Sequence, residues 1–354
     1  MRDVDGTARS GLGHLLDRLA REQGFSVIDV QPIDPGVTHN NRLYRLRAVD
    51  GRTAVVKCYF RDNRRRLERE HEALAFLQTR GIAGVPKPFL RDDVSYAAVY
   101  SFEDGVTKPG EALTTAELEA LAALVGTLRR IRPGQPGATF LPGVAAVFSL
   151  TEGIARLRAR LEAFQRFAAS AAVYPVVRQA CDSWDPPGVI ACLLDRALAG
   201  LSPADLQARI PEAAWGLAQG DLAPHNVLVQ PAGRVCLVDF EYSGWDDPAA
   251  PAAAFLAADT SRGLTPTGAA AFVSAYRDAA ELTADEVRRM DRLRVLMEVN
   301  WATVHLSLLT PERIAPKQFA DPRLDLDHHL AEQLDKLRCR LAVGPTASRP
   351  EQDQ

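Results

Sequence analysis

Two short segments hold the residues whose types and spacing can do chemistry: Gly220-Asp221-Leu222-Ala223-Pro224-His225-Asn226 and Val238-Asp239-Phe240-Glu241. Asn226 lies 5 positions after Asp221, and Asp239 lies 18 after it. Both acids stand where a short apolar run gives way to a loop, so both can project into one cleft. Between them, Asn-Val-Leu-Val-Gln, a Pro-Ala-Gly-Arg turn and Val-Cys-Leu-Val read as a two-strand ribbon. Such a ribbon folds Asp239 back beside Asn226. A carboxylate, an amide and a second carboxylate converging this way suit phosphoryl transfer. One carboxylate meets an attacking hydroxyl, while an amide oxygen and the other carboxylate hold Mg²⁺ against the phosphates. An amide at the metal also carries less negative charge than a third carboxylate, which suits a site that must hold polyphosphate.

The elements that must position these groups come next. Residues 8 to 22 set Leu12, Leu15, Leu16 and Leu19 on one helical face, ending near Gly24. FSVIDVQPI, NRLYRLRAV and TAVVKCYF then read as strands, and Asp50-Gly51 between the last two is a hairpin signal. A helix is predicted over roughly 63 to 80, with Leu67, Leu74 and Leu77, closed by Gly81; SYAAVYSF follows as another strand. Glu103-Asp104-Gly105 breaks that pattern, and helical periods dominate beyond it. Thr114 with Glu117 three residues on opens a helix over 114 to 131, and Ala/Leu/Arg-rich helical stretches fill 145 to 210. A β insert at 214 to 242 carries the chemistry, and helices resume to about 340. A chain of 354 residues exceeds one ordinary single-core domain. The expected class is therefore α+β in two lobes, a β-rich 1–104 and a helical 105–340, with a mobile tail at 341–354.

QGDLAPHNVLV followed by VCLVDFEYSGWDDP resembles the catalytic and metal loops of the aminoglycoside phosphotransferase family. That family shares the bilobal protein-kinase-like fold and includes choline, homoserine and similar small-molecule kinases. The resemblance implies Asp221 as catalytic base, Asn226 and Asp239 as magnesium ligands, and ATP as phosphate donor. It implies that Lys57 in TAVVKCYF contacts the α- and β-phosphates. Glu70 of LEREHEALAFL would be its ion-pair partner, with Glu68 and Glu72 as rivals that helix phase decides between. PGVTHNNRLYRL stands at the nucleotide-covering turn without being a Gly-rich loop, and YSFEDG resembles the inter-lobe linker, where Ser101 and Glu103 would offer backbone groups to adenine. The resemblance spans about 35 to 260 and departs from the family twice. Gln219 replaces the usual His before Gly-Asp, which should weaken packing behind the loop. Ala250-Pro251 stands where an Asp usually follows DDP, which should loosen that segment.

The bulk numbers fit this reading. With 47% hydrophobic residues the chain folds, and a net charge of -3 supplies no basic field for nucleic acid. No run approaches the ~18–20 apolar residues of a membrane span. The charged N-terminus reads as no signal peptide, and five cysteines without CxxC spacing read as reduced thiols. The expectation is a cytoplasmic monomer or weak dimer acting on a small-molecule alcohol. For the acceptor, Glu241, Trp245, Asp246 and Asp247 after the metal loop would suit a cation such as an aminoglycoside or amino alcohol. The plainer reading has Asp246-Asp247-Pro248 capping the next helix. Trp301 and His305, one helical turn apart, are either core or acceptor lining. Arg61, Arg64, Arg65, Arg66 and Arg69 read as a solvated helix face. A nucleotide-binding pseudokinase with a regulatory or scaffold role is the alternative function, motivated by Gln219 and the missing Asp.

Overall fold

The computed structural model describes residues 4–33 and 40–343. Its first part is a five-stranded antiparallel sheet in the order β1-β2-β3-β5-β4. The strands are β1 (Val27–Ile33), β2 (Arg42–Ala48), β3 (Thr53–Cys58), β4 (Pro88–Asp92) and β5 (Ala97–Ser101). Asp50-Gly51 turns β2 into β3: Ala48 N–H bonds the Arg52 carbonyl at 2.9 Å, and Gly51 takes the positive φ of 84° that the turn requires.

Side-chain alternation gives the sheet two faces. Leu46, Ala54, Val56, Ala97 and Val99 meet Leu12, Leu15 and Leu19 of α1 (Val4–Gln23). Ala98 and Tyr100 point the other way, toward Leu67, Leu74 and Leu77 of α2 (Arg66–Thr79). Those three leucines are fully buried, and each contributes about 1.5–3 kcal/mol of apolar transfer. Lys57 pairs with Ala98 across the ladder and so shares the α2 face.

Beyond residue 105 the chain is mostly helical. α3 (Thr115–Arg129) opens on the capping box formed by Thr114 and Glu117. α4 (Leu150–Ala168), α5 (Pro175–Trp184), α6 (Pro186–Leu198) and α7 (Pro203–Gln207) precede the catalytic segment; α8 (Ala250–Ala257), α9 (Pro266–Ala279), α10 (Ala284–Ser307), α11 (Pro311–Ala320) and α12 (Leu326–Val343) follow it. Between these groups lie two small ribbons, β6 (Gly216–Ala218) with β9 (Gly244–Asp246), and β7 (Val227–Val229) with β8 (Val235–Leu237). No described helix is long and apolar enough to cross a membrane. The expectations for residues 35–39 of the nucleotide-covering turn and for the tail from 344 lie outside the described residues.

Candidate active site

The site begins with Lys57, buried on the α2 side of β3. Its ammonium lies 2.6 Å from Glu70 Oε2, 2.7 Å from Asp239 Oδ1 and 3.6 Å from Glu241 Oε2. Helix phase selects Glu70 from its rivals: Glu68 meets the Tyr96 hydroxyl at 3.0 Å and Glu72 meets Arg91 at 3.4 Å. The Tyr59 hydroxyl donates to Glu70 Oε2 at 2.9 Å and pairs with the Tyr100 hydroxyl at 2.7 Å. Burial alone would lower the Lys57 pKa, but Asp239, Glu70 and Glu241 outweigh it and hold the ammonium charged. Burial pushes Glu70 up, against the pull of Lys57. The charges of Asp239 and Glu241 add to the rise at Glu70, as they do at Lys57. Glu70, Asp239 and Glu241 also converge closely enough to hold a cation, and the cation at their centre is Lys57 itself.

The Asp221 segment is stitched to the Asp239 loop by short-range geometry. β7 pairs with β8 from Val227↔Leu237 to Val229↔Val235, and Val238 N–H then bonds the Asn226 carbonyl at 3.0 Å. This ribbon brings Asp239 back to Asn226 at the end of the ladder. Asp239 adopts a left-handed backbone (φ 62°), a conformation that a non-glycine residue holds only under constraint from its surroundings. The Asn226 amide donates to the Asp221 carbonyl at 2.9 Å and to Asp221 Oδ2 at 3.3 Å. Its nitrogen is thereby committed to Asp221, and its oxygen is left for another partner. Asp221 itself is partly open, with 30% of its side chain exposed. His225 Nε2 stands 3.9 Å from Asp221 Oδ2, and His225 Nδ1 stands 3.4 Å from Thr260 Oγ1. Burial lowers the His225 pKa, but the bond and charge of Asp221 reverse that and raise it overall.

Gln219 corrects the expectation of weakened packing. It is buried, its Nε2 donates to the Val238 carbonyl (3.0 Å) and the Asp239 carbonyl, and its Oε1 accepts from Asp221 N–H at 2.8 Å. One amide therefore bolts the Asp221 loop to the Asp239 loop. Gly220 lets them approach: its φ is 92°, and a Cβ there would collide with the Tyr242 carbonyl. The segment after DDP is likewise anchored despite Ala250-Pro251. Asp247 pairs with Arg289 and accepts from Ala249 N–H at 2.8 Å, while the Tyr276 hydroxyl donates to the Pro248 carbonyl at 2.6 Å.

The other sequence-designated residues fall in two groups. Ser101 N–H donates to the Lys87 carbonyl at 2.8 Å, and its hydroxyl accepts from Lys87 N–H at 2.8 Å. Glu103 takes the Ser101 hydroxyl at 2.6 Å and Gln230 Nε2 at 3.4 Å. Glu241, Trp245 and Asp246 are buried. Glu241 is held by Arg66, Asn41 and Lys57; Trp245 stacks edge-on against Phe140; Asp246 accepts from the amides of Val147 (3.0 Å) and Asp247 (2.8 Å). His305 is buried against Asp259 and Gln333, with Trp301 packed beside it and half-buried. The solvated-face reading of the arginines fails at Arg66, which is fully buried because it ties α2 to Glu241 and Asp62. Arg69 likewise reaches inward, to the carbonyls of Pro142 and Ser243. Sequence reading also missed Lys317 of α11, which is buried and whose charge reaches Asp221. Its signal is the i, i+4 basic pair with Arg313 in PERIAPK.

The sequence profile of the phosphotransferase enzyme family matches residues 29–293, most of the chain, with Lys57, Glu70, Asp221, Asn226 and Asp239 inside it. The chain belongs to the phosphotransferase enzyme family. Solved phosphotransferases share its fold at low identity. The AMP complex of a spectinomycin phosphotransferase superposes with a TM-score of 0.64 at 12% identity, covering 95% of this chain and 99% of that one. A choline kinase from Streptococcus pneumoniae gives 0.55 at 18%, covering 97% and 100%. A macrolide 2'-phosphotransferase from Brachybacterium faecium gives 0.56 at 18%, covering 89% and 100%. Among curated protein sequences, none matches significantly. This phosphotransferase therefore has the protein-kinase-like architecture: an antiparallel sheet lobe above a larger helical part.

Proposed function

We propose that this enzyme transfers the γ-phosphate of ATP to a hydroxyl of a small molecule, with residues 1–104 as nucleotide lobe and 105–340 as acceptor lobe. The observation that carries this reading is the two ion pairs of Lys57, to Glu70 and to Asp239, which join the sheet to the Asp239 loop. In this reading Lys57, oriented by Glu70, holds the α- and β-phosphates, and the backbone of Ser101 and Glu103 serves the adenine. Asp221 accepts the proton of the acceptor hydroxyl, and the Asn226 amide fixes its carboxylate for that task. The Asn226 oxygen and the Asp239 carboxylate are hard oxygen donors beside an excess of negative charge, which suits Mg²⁺. When bound, Mg²⁺ neutralises charge developing on the phosphates. Little covalent chemistry falls to the protein; positioning and electrostatics supply the rate. ATP use and free thiols at Cys58, Cys181, Cys192, Cys236 and Cys339 agree with a cytoplasmic setting.

The pseudokinase alternative rested on Gln219 and Ala250-Pro251, and it loses support because both positions are mechanically filled. The test is Asp221→Asn. Acceptor-dependent ADP release should fall to background while ATP affinity stays within about twofold. Unchanged turnover would sink the assignment.

A further inference from the structure

The two oxygens of the Asp221 carboxylate have different surroundings. Oδ2 takes the Asn226 amide at 3.3 Å and faces His225 Nε2 at 3.9 Å. Among the described residues, Oδ1 makes no hydrogen bond or ion pair. His225 sits on the short turn Pro224–Asn226 and also reaches outside the catalytic ribbon, where its Nδ1 stands 3.4 Å from Thr260 Oγ1. Thr260 belongs to a second short turn, Asp259–Ser261, that follows α8 and packs on the first. This second turn is held from several sides. Asp259 pairs with His305 of α10 and Arg340 of α12, and Ser261 N–H bonds the Ala258 carbonyl at 3.0 Å. Gly110 lies so close beneath it that a Cβ there would come within 2.9 Å of the Thr260 carbonyl.

A hydroxyl can both donate and accept, and that versatility fixes the ring. Beside a neutral imidazole the Thr260 hydroxyl donates to Nδ1; beside a charged one it accepts from Nδ1–H. Either way Nε2 carries the hydrogen that faces Asp221, so the arrangement does not depend on the charge of the ring. A separation of 3.9 Å is an ion-pair distance, and catalytic contacts of such length tighten once reactants are bound. Packing does not account for the residue. His225 is 37% exposed, and each of its ring nitrogens faces a polar atom.

We infer that His225, held by Thr260, is a positioning residue: together with Asn226 it engages Oδ2 of Asp221, so that Oδ1 is the oxygen that takes the proton of the acceptor hydroxyl. The proton passes to Oδ1 as the hydroxyl oxygen bonds the γ-phosphorus and ADP leaves. The inference rests on the phosphotransferase reading above and names how the base of that site is aimed. Its test gives the intact enzyme ATP with choline, kanamycin or glucose and follows ADP release with the acceptor phosphorylated fastest. His225→Leu should lower kcat roughly tenfold to a hundredfold while the ATP KM stays within about twofold. His225→Gln, whose amide can stand near the place of Nε2, should recover part of that loss. Thr260→Val should lower kcat about threefold to tenfold, Thr260→Ser should recover most of it, and Thr260→Val should cost nothing further in the His225→Leu background. Unchanged kcat in His225→Leu overturns the inference, as do losses that multiply in the double variant or a rise in the ATP KM alone. Imidazole nitrogen NMR supplies an arm that needs no turnover, with the His225 signals assigned through His225→Gln. Thr260→Val and Asp221→Asn should each shift those signals in a protein that otherwise keeps its spectrum. Such shifts without any phosphoryl transfer would support the positioning contacts and sink only the phosphotransfer reading. Signals unmoved in either variant overturn the inference.

Discussion

At the residue scale the site is organised by one ammonium. Lys57 neutralises part of the charge of Glu70, Asp239 and Glu241 in a nearly dry pocket, where an unpaired charge is costly. Lys57→Met should therefore damage stability and activity together. Unfolding in urea should show a loss of about 3–5 kcal/mol, the usual cost of stranding a buried partner. Single-turnover transfer at saturating ATP should slow by roughly 10²–10³, as when one preorganised donor is removed. Retained stability with lost turnover would show that the carboxylates discharge by taking up protons. Glu70 was legible from sequence only as one of several glutamates; its burial beside Tyr59 and Tyr100 decides the choice.

At the element scale the important joints are those between loops. Gln219 ties the Asp221 loop to the Asp239 loop through its single amide, so removing it strands buried backbone groups at both ends. Gln219→Ala should cost about 1–3 kcal/mol and lower kcat more than it raises the ATP KM, measured by denaturation and steady-state kinetics. An unchanged kcat would mean the ribbon β7–β8 positions Asp239 without the brace. The ribbon itself was readable from sequence, since two short apolar runs around Pro-Ala-Gly-Arg have few other ways to pair. The brace was not, because its partners are main-chain groups that no residue pattern announces.

At the scale of the whole molecule, the helices behind the catalytic loop are linked by Asp259. It pairs with His305 of α10, Arg340 of α12 and Arg262, and its neighbour Thr260 touches His225. Burial alone would raise the Asp259 pKa, but the His305 bond and the charges of His305, Arg340 and Arg262 bring it down to about 2. A depressed carboxylate contributes stability that is present above its unfolded pKa of 3.8 and lost as pH falls through about 2. Asp259→Asn should therefore be less stable at neutral pH, and its stability should fall less steeply than the parent's between pH 4 and 2 in thermal scans. Parallel curves would exclude this network from acid unfolding. Arg42, bonded to Phe319 across the cleft mouth, makes a second long-range tie that joins the sheet to α11.

Local rules in the sequence determined the hairpin at Asp50-Gly51, the cap at Thr114, the ribbon at 227–237 and thus the trio Asp221, Asn226 and Asp239. Each depends on residues within 18 positions of one another, so pattern and spacing suffice. The tertiary structure alone decided which charges turn inward and what they meet there. Glu241, Asp246 and Asp247, read as acceptor contacts or helix caps, are buried against cationic side chains and amides, whereas Lys317 brings its charge to Asp221 from a helix far along the chain. Charge in a sequence carries a sign but no direction; packing supplies the direction, and it is direction that sets what the site attracts.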